Sequence, residues 1–221
     1  MQEMIGLPSL DSYALYGGHE YLKAHSDMSV TELDELWFQK KSVKLRSGFY
    51  AQAYEAHGEK FILINGFHPA QLAHFTEPDH HILLILVHSN TDWRVLRNDL
   101  IGATFPEKAV PDSIRGTFYA DPALYGFESV TIANNCVHLS AGPYEGAFEI
   151  MNFFGRLLDL DPAKQTPTMF KVLMQKGLTL DQAIKCLDNP AVSVEGKQTD
   201  LFGATEDFNT EAAADLWLKQ A

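Results

Sequence analysis

Six consecutive aliphatic residues, ILLILV at 82–87, constrain this chain more than any other feature. An unbroken apolar run of that length predicts a strand buried within a sheet. Even extended through His80-His81, it is far too short to span a bilayer. Around it, helix and strand patterns alternate without an internal repeat. SYALYGG (12–18) predicts a short strand, and Ser29 with Glu32 forms a capping box ahead of LDELWFQKK. FYAQAYEAHGEKFILINGF (49–67) reads as a hairpin about His57-Gly58. HPAQLAHF is helical, with proline at its start, and TDWRVLRNDLIG (91–102) is a helix capped by Thr91 or Asp92 and closed by Gly102.

The stretch ATFPEKAVPDSIRG is too rich in proline and glycine for either regular element. SVTIANNCVHL (129–139) predicts the last strong strand, and EGAFEIMNFFGRLL an amphipathic helix with Phe148, Met151, Phe154 and Leu158 on one side. Beyond residue 160, PTMFKVLMQKG and the capped TLDQAIKCLDNP predict a helical hairpin, and TEAAADLWLKQ a further helix. AVSVEGKQTDLFGATEDFN, between them, is expected to be a surface loop. This order fits an α+β sandwich: an antiparallel ferredoxin-like sheet with helices on one side, elaborated by the hairpin and a helical tail. The expected division is an α+β domain over 1–155 and a helical extension over 156–221.

With 221 residues, 46% of them hydrophobic, the chain can bury a full core. Seventeen Lys and Arg against 29 Asp and Glu give a net charge of −12. That balance argues against broad electrostatic capture of nucleic acid or an anionic membrane, yet leaves room for a small nucleotide held by a few local cations. Cys136 and Cys186 have no CxxC spacing, so neither a disulfide framework nor a zinc knuckle is indicated, and a reducing, cytoplasmic location is the simplest expectation. MQEMIGLPSLDSY carries no recognisable targeting signal. The histidines at 68, 74, 80 and 81 match no metal-ligand spacing.

Four motifs lie in register between residues 102 and 149: GATFP (102–106), PDSIRG (111–116), NNCVHLS (134–140) and Glu149. Together they resemble the signature of the nucleoside diphosphate kinase family, G-x-T-x-P, P-x-x-I-R-G and N-x-x-H-x-S with a glutamate nine residues beyond the serine. The resemblance reaches back through FHPAQLAHF and ILLILV and forward to Phe154.

It implies a ferredoxin-like core, a tendency to form homo-oligomers, and ping-pong phosphoryl transfer between nucleoside tri- and diphosphates, with Mg2+ carried on the nucleotide and no protein-held metal. His138 is the implied nucleophile, which suits an imidazole whose ordinary pKa near 6.5 leaves a lone pair at neutral pH. Glu149 and Ser140 are implied to orient its ring. Arg115 and Thr104 are implied phosphate contacts, Asn135 a ribose contact, and Phe67 and Ile132 the two sides of a base clamp. His68 neighbours Phe67 as a second candidate there.

The chain departs from the family pattern in several places. The family's K-P-D-G turn is missing, and Gly17 or Asn65 stands where its lysine would be. Its second phosphate arginine aligns with Asn98, beside Arg97. Ala141 replaces an aspartate that handles magnesium through water, and about ten residues around DPALYGFES are inserted. Lys23, Lys60, Arg94 and Arg97 are candidates for the missing cation. Three activities therefore stay open: a divergent kinase-like phosphotransferase, a nucleotide-binding regulatory module without transfer, or a phosphotransferase or hydrolase acting on a non-nucleotide phosphate. Taken singly, His138 also reads as a space-filling side chain, Phe67 as core, and Glu149 as a solvated position.

Overall fold

The computed structural model describes residues 2–46, 48–56, 58–132, 134–155 and 167–219. The chain forms two compact units, Met1–Leu83 and Leu84–Ala221. In the first, β1 (Ala14–Gly17), β4 (Glu59–Ile64), β3 (Phe49–Ala56) and β2 (Val43–Arg46) lie in that order across one sheet. β3 joins β4 and β2 antiparallel, as the hairpin reading requires. β1 pairs with β4 in parallel, so the sheet is mixed where an antiparallel one is expected.

Helices α1 (Gly18–Ala24), α2 (Val30–Phe38) and α3 (His68–Thr76) belong to this unit, as does a single helical turn over Gln2–Ile5. Ser29 and Glu32 close the expected capping box on α2. Tyr21, Leu33, Trp37, Tyr54, Phe61 and Leu63 form its buried cluster, in which Phe61 stacks between Tyr21 at 4.7 Å and Tyr54 at 5.0 Å.

The second unit starts its regular structure at α4 (Trp93–Val95), capped by Asp92 and widening to π-helical geometry over Leu96–Ile101. α5 (Ile114–Ala120) follows, then α6 (Pro143–Glu149), which continues as a π-helix over Ile150–Phe154. α7 (Thr168–Gln175) and α8 (Leu180–Ile184) make the expected helical hairpin, with Thr179 and Gln182 in a capping box. Tyr144 and Ala147 of α6 share one buried cluster with Met169, Phe170 and Leu173 of α7 and with Ala213 and Ala214 of α10 (Thr210–Leu218). The helices beyond residue 167 are thus packed directly on α6. Leu158, expected on the apolar side of that helix, lies outside the described residues; Met151 packs on the cluster, whereas Phe148 is 41% exposed beside Phe202.

Further elements depart from expectation. ILLILV is not a strand: among the described residues no strand pairs with it, and Ile82, Leu83, Ile85, Leu86 and Val87 are each at least 60% exposed. Apolar character sets a preference for burial, but a strand also needs a partner backbone for its N–H and C=O groups. The described residues of 129–139 are likewise irregular, because local polar bonds take over the backbone. Thr131 N–H donates to Asn134 O, Asn134 N–H to Thr131 Oγ1, and Cys136 holds φ at +71°. The stretch from 191, expected as a loop, folds into the hairpin β5 (Ala191–Val194) and β6 (Lys197–Asp200), followed by α9 (Leu201–Ala204). Glu195 and Gly196 both take positive φ there, the geometry of a tight hairpin turn. Among the described residues no helix is long and apolar enough to cross a membrane.

Candidate active site

The π-helical end of α4 stops at Gly102, whose φ of +96° favours glycine and whose added Cβ would lie 2.4 Å from Ser113 Oγ. This turn delivers Ala103 and Thr104 to the rim of a cavity of about 410 Å3. Ser113, buried, caps α5 through Gly116 N–H and so places Arg115 in its first turn. PDSIRG is therefore a helix start, although its proline and glycine content predicts irregular backbone.

Arg115 is half-buried and grips two backbone strands. Its Nη1 donates to Gly102 O at 2.9 Å and its Nη2 to Val137 O at 2.8 Å, while its Nε is buried without an acceptor among the described residues. The second bond fixes the backbone immediately before His138. On the other side, Trp93 Nε1 donates to Ser140 O at 3.0 Å. The nucleophile candidate thus sits on a loop clamped at both ends, with its own side chain 65% exposed.

α6 returns Glu149 to that loop. His138 Nε2 lies 2.7 Å from Glu149 Oε1, and Ser140 Oγ–H donates to Glu149 Oε2. Because a carboxylate only accepts, the proton belongs on Nε2, which leaves the Nδ1 lone pair of the neutral ring free. The hydrogen bond to Glu149 raises the His138 pKa against the opposing effect of burial. Burial alone would raise the Glu149 pKa, but the bonds from His138 and Ser140 outweigh it and hold the carboxyl below its usual range.

Arg97, Thr104, Arg115, Asn135 and His138 all line the cavity, so the structure brings together five of the residues singled out from the sequence. Ser140 and Glu149 join them through His138. Asn135 donates from Nδ2 to Ile132 O at 3.3 Å. Ile132 is 49% exposed and is not among the lining residues. Phe67 belongs to the Met1–Leu83 unit, where its ring packs 5.7 Å from Trp37 and 6.3 Å from Tyr50.

Three acidic residues of the cavity were not anticipated: Glu145, Glu206 and Asp207. Glu145 accepts from Ala141 N–H at 2.7 Å, and burial pushes its carboxyl up. Arg97 Nη1 reaches Glu206 Oε1 at 2.9 Å and Asp207 Oδ1 at 2.6 Å. The only sequence signal for Glu145 was its place one helical turn before Glu149, and nothing local to TEDFN pointed to the cavity. As ligand atoms, His138, Glu145 and Glu149 lie within 4.8 Å of one another. That mixed nitrogen and oxygen set suits a borderline transition ion better than magnesium, which takes oxygens and waters and rides on substrate phosphates.

Comparison with protein-family models, with curated proteins and with solved structures finds no match.

Proposed function

We propose that the Leu84–Ala221 unit is a divergent nucleoside diphosphate kinase-like phosphotransferase that passes a phosphoryl group between nucleotides through His138. One observation carries the reading: His138 is oriented by Glu149 and Ser140 at a cavity lined also by Arg97, Thr104, Arg115 and Asn135. A free imidazole lone pair, a carboxylate that fixes the tautomer and guanidinium groups nearby are the parts in-line phosphoryl transfer needs. With the family comes a homo-oligomer as part of the proposal, whereas the ferredoxin-like core is not carried over to this unit, whose described strands are β5 and β6 alone.

Nδ1 of the neutral His138 ring attacks the γ-phosphorus of a nucleoside triphosphate. A phosphorus–nitrogen bond forms as the bond to the β,γ-bridging oxygen breaks, and the diphosphate leaves with that electron pair. Glu149 holds the Nε2 proton throughout and stabilises the positive charge that develops on the ring. The reverse displacement by the terminal oxygen of a second diphosphate restores His138. Magnesium bound with the nucleotide would neutralise phosphate oxygens, and Glu145, a carboxylate of the cavity lining, would be available to hold it through water. Thr104 and Asn135 offer hydrogen bonds to phosphate and ribose.

The test is incubation with γ-labelled ATP. Acid-labile, alkali-stable label on the wild type and none on His138→Ala is the expected result; no label on the wild type, or equal label on both, ends the reading. A second reading draws support from Arg97, whose guanidinium is already engaged by two carboxylates. A regulatory module of that kind binds nucleotide without transferring phosphate, and its affinity survives His138→Ala. Parallel reactions with inorganic triphosphate and sugar phosphates separate both from an enzyme that acts on a non-nucleotide phosphate.

A further inference from the structure

The cavity holds a contradiction in charge. Two guanidinium groups, Arg97 and Arg115, line it with three carboxylates, Glu145, Glu206 and Asp207. A polyphosphate entering a cavity of that composition meets carboxylates where it needs cations, and the chain as a whole carries −12. The conflict concentrates at Arg97, which spends one terminal nitrogen on Glu206 and Asp207 together, at 2.9 and 2.6 Å.

A carboxylate and a phosphate use the same guanidinium N–H groups and the same planar approach, so one side chain cannot serve both fully. Glu206 and Asp207 both take Nη1, so a phosphate approaching Arg97 at that nitrogen has to displace them. We propose that these two side chains are an internal competitor for nucleotide phosphates, a latch on Arg97 that must release before the cavity takes a nucleotide. The inference rests on reading the cavity as a nucleotide-phosphate site.

The turn carrying the latch is anchored independently of its carboxylates. Asp207 N–H donates to Ala141 O at 2.9 Å, and Asn209 Oδ1 accepts from Trp93 N–H at 2.8 Å. Asn209 Nδ2 in turn donates to Asp92 Oδ2 at 2.9 Å. Release thus requires rotation of two side chains, with the backbone of the turn left in place. Their exposure suits that motion, at 51% for Glu206 and 31% for Asp207. Ala141, which the turn contacts, is adjacent to Ser140 on the loop bearing His138, so the latch closes beside the reacting group.

Calorimetric titration of the full chain with ADP and with ATP, without divalent cation, tests the latch. Glu206→Gln/Asp207→Asn is expected to bind about tenfold tighter than the wild type, a coupling typical of charged groups in direct contact. Arg97→Gln is expected to weaken binding about tenfold in that background and less than threefold in the wild type, where the guanidinium is already occupied. Equal or weaker binding by the double variant, with a native near-ultraviolet circular dichroism spectrum, overturns the latch and leaves the nucleotide reading standing. Absence of binding by every variant and by the wild type removes the nucleotide reading as well. Should the double variant lose its fold, Glu206→Gln alone decides: it is half-exposed and is expected to bind about threefold tighter, and unchanged or weaker affinity overturns the proposal.

Discussion

Glu149 holds His138 across eleven residues of sequence, through a 2.7 Å contact between Oε1 and Nε2 that ties the loop to the far end of α6. The bond raises the pKa of the imidazole and contributes to lowering that of the carboxyl. Each direction has its own pH consequence.

Attack by Nδ1 needs the neutral ring, so labelling of the protein is expected to fall as pH drops through the raised pKa of His138. Glu149→Gln removes the carboxylate that favours the imidazolium. The acidic limb of the labelling profile then moves to lower pH, while the plateau rate falls because the ring loses its orienting acceptor. Stability follows a different window. A raised histidine pKa stabilises fully below the unfolded value near 6.5 and is lost as pH rises through the folded one. A lowered carboxyl pKa stabilises above the unfolded value of about 4.5 and is lost as pH falls through the folded one. The wild type should therefore exceed Glu149→Gln in Tm most clearly near pH 5.5, and by less both near pH 9, where the histidine contribution is gone, and below about pH 4, where the carboxyl contribution fades, measured by thermal melts in low salt.

Ser140 gives Glu149 its second hydrogen bond, to the oxygen that His138 does not use. Ser140→Ala is expected to cost about 1 kcal/mol of orientation, a roughly fivefold slower labelling rate. With one fewer bond to its anionic form, the Glu149 carboxyl shifts upward toward its usual range. An unchanged labelling rate in rapid-quench measurements would assign the serine to loop structure alone.

Local patterns were legible wherever one segment contained its own determinants. The capping boxes at Ser29 and Thr179, the Asp92 cap and the hairpin about residues 57–58 are all present. The grouping of His138, Ser140 and Glu149, implied by the family resemblance, is present as well, although on a loop rather than at a strand end. What stayed hidden depends on partners distant in sequence. ILLILV has strand composition but no paired strand, and β1 joins β4 in parallel through residues more than forty positions apart. The approach of Glu206 and Asp207 to Arg97 spans 109 and 110 residues, and no periodicity within either segment encodes it.

Arg115 does two things that substitution can separate. Its terminal nitrogens hold Gly102 O and Val137 O, which frames the cavity, and its charge lies at the cavity proposed to take phosphate. Arg115→Lys keeps the charge but cannot reach two carbonyls with a planar fork. Labelling is expected to drop about 100-fold in both Arg115→Lys and Arg115→Ala if the framing bonds dominate, the scale of losing one preorganised donor. Recovery of most of the rate in the lysine variant would make the charge the deciding property instead. Steady-state kinetics with both variants at saturating ATP gives the answer.

Gly142 couples the loop of His138 to the turn that carries the acidic pair. A Cβ at this position would lie 2.6 Å from Thr205 O, a backbone atom that cannot rotate away. Its φ of −167° is ordinary extended backbone, so steric contact alone sets the cost of a side chain there. Gly142→Ala is expected to destabilise the protein by about 1–3 kcal/mol, the range for overpacking a buried position. Thr179→Ala, which removes the cap of α8 far from the cavity in sequence, should cost about 1 kcal/mol. Urea denaturation distinguishes them further when repeated with saturating ADP. The cap variant keeps the full nucleotide-induced rise in midpoint, because α8 contributes no residue to the cavity lining. Gly142→Ala loses part of that rise, because Ala141 and Glu206 on either side of the forced contact both line the cavity.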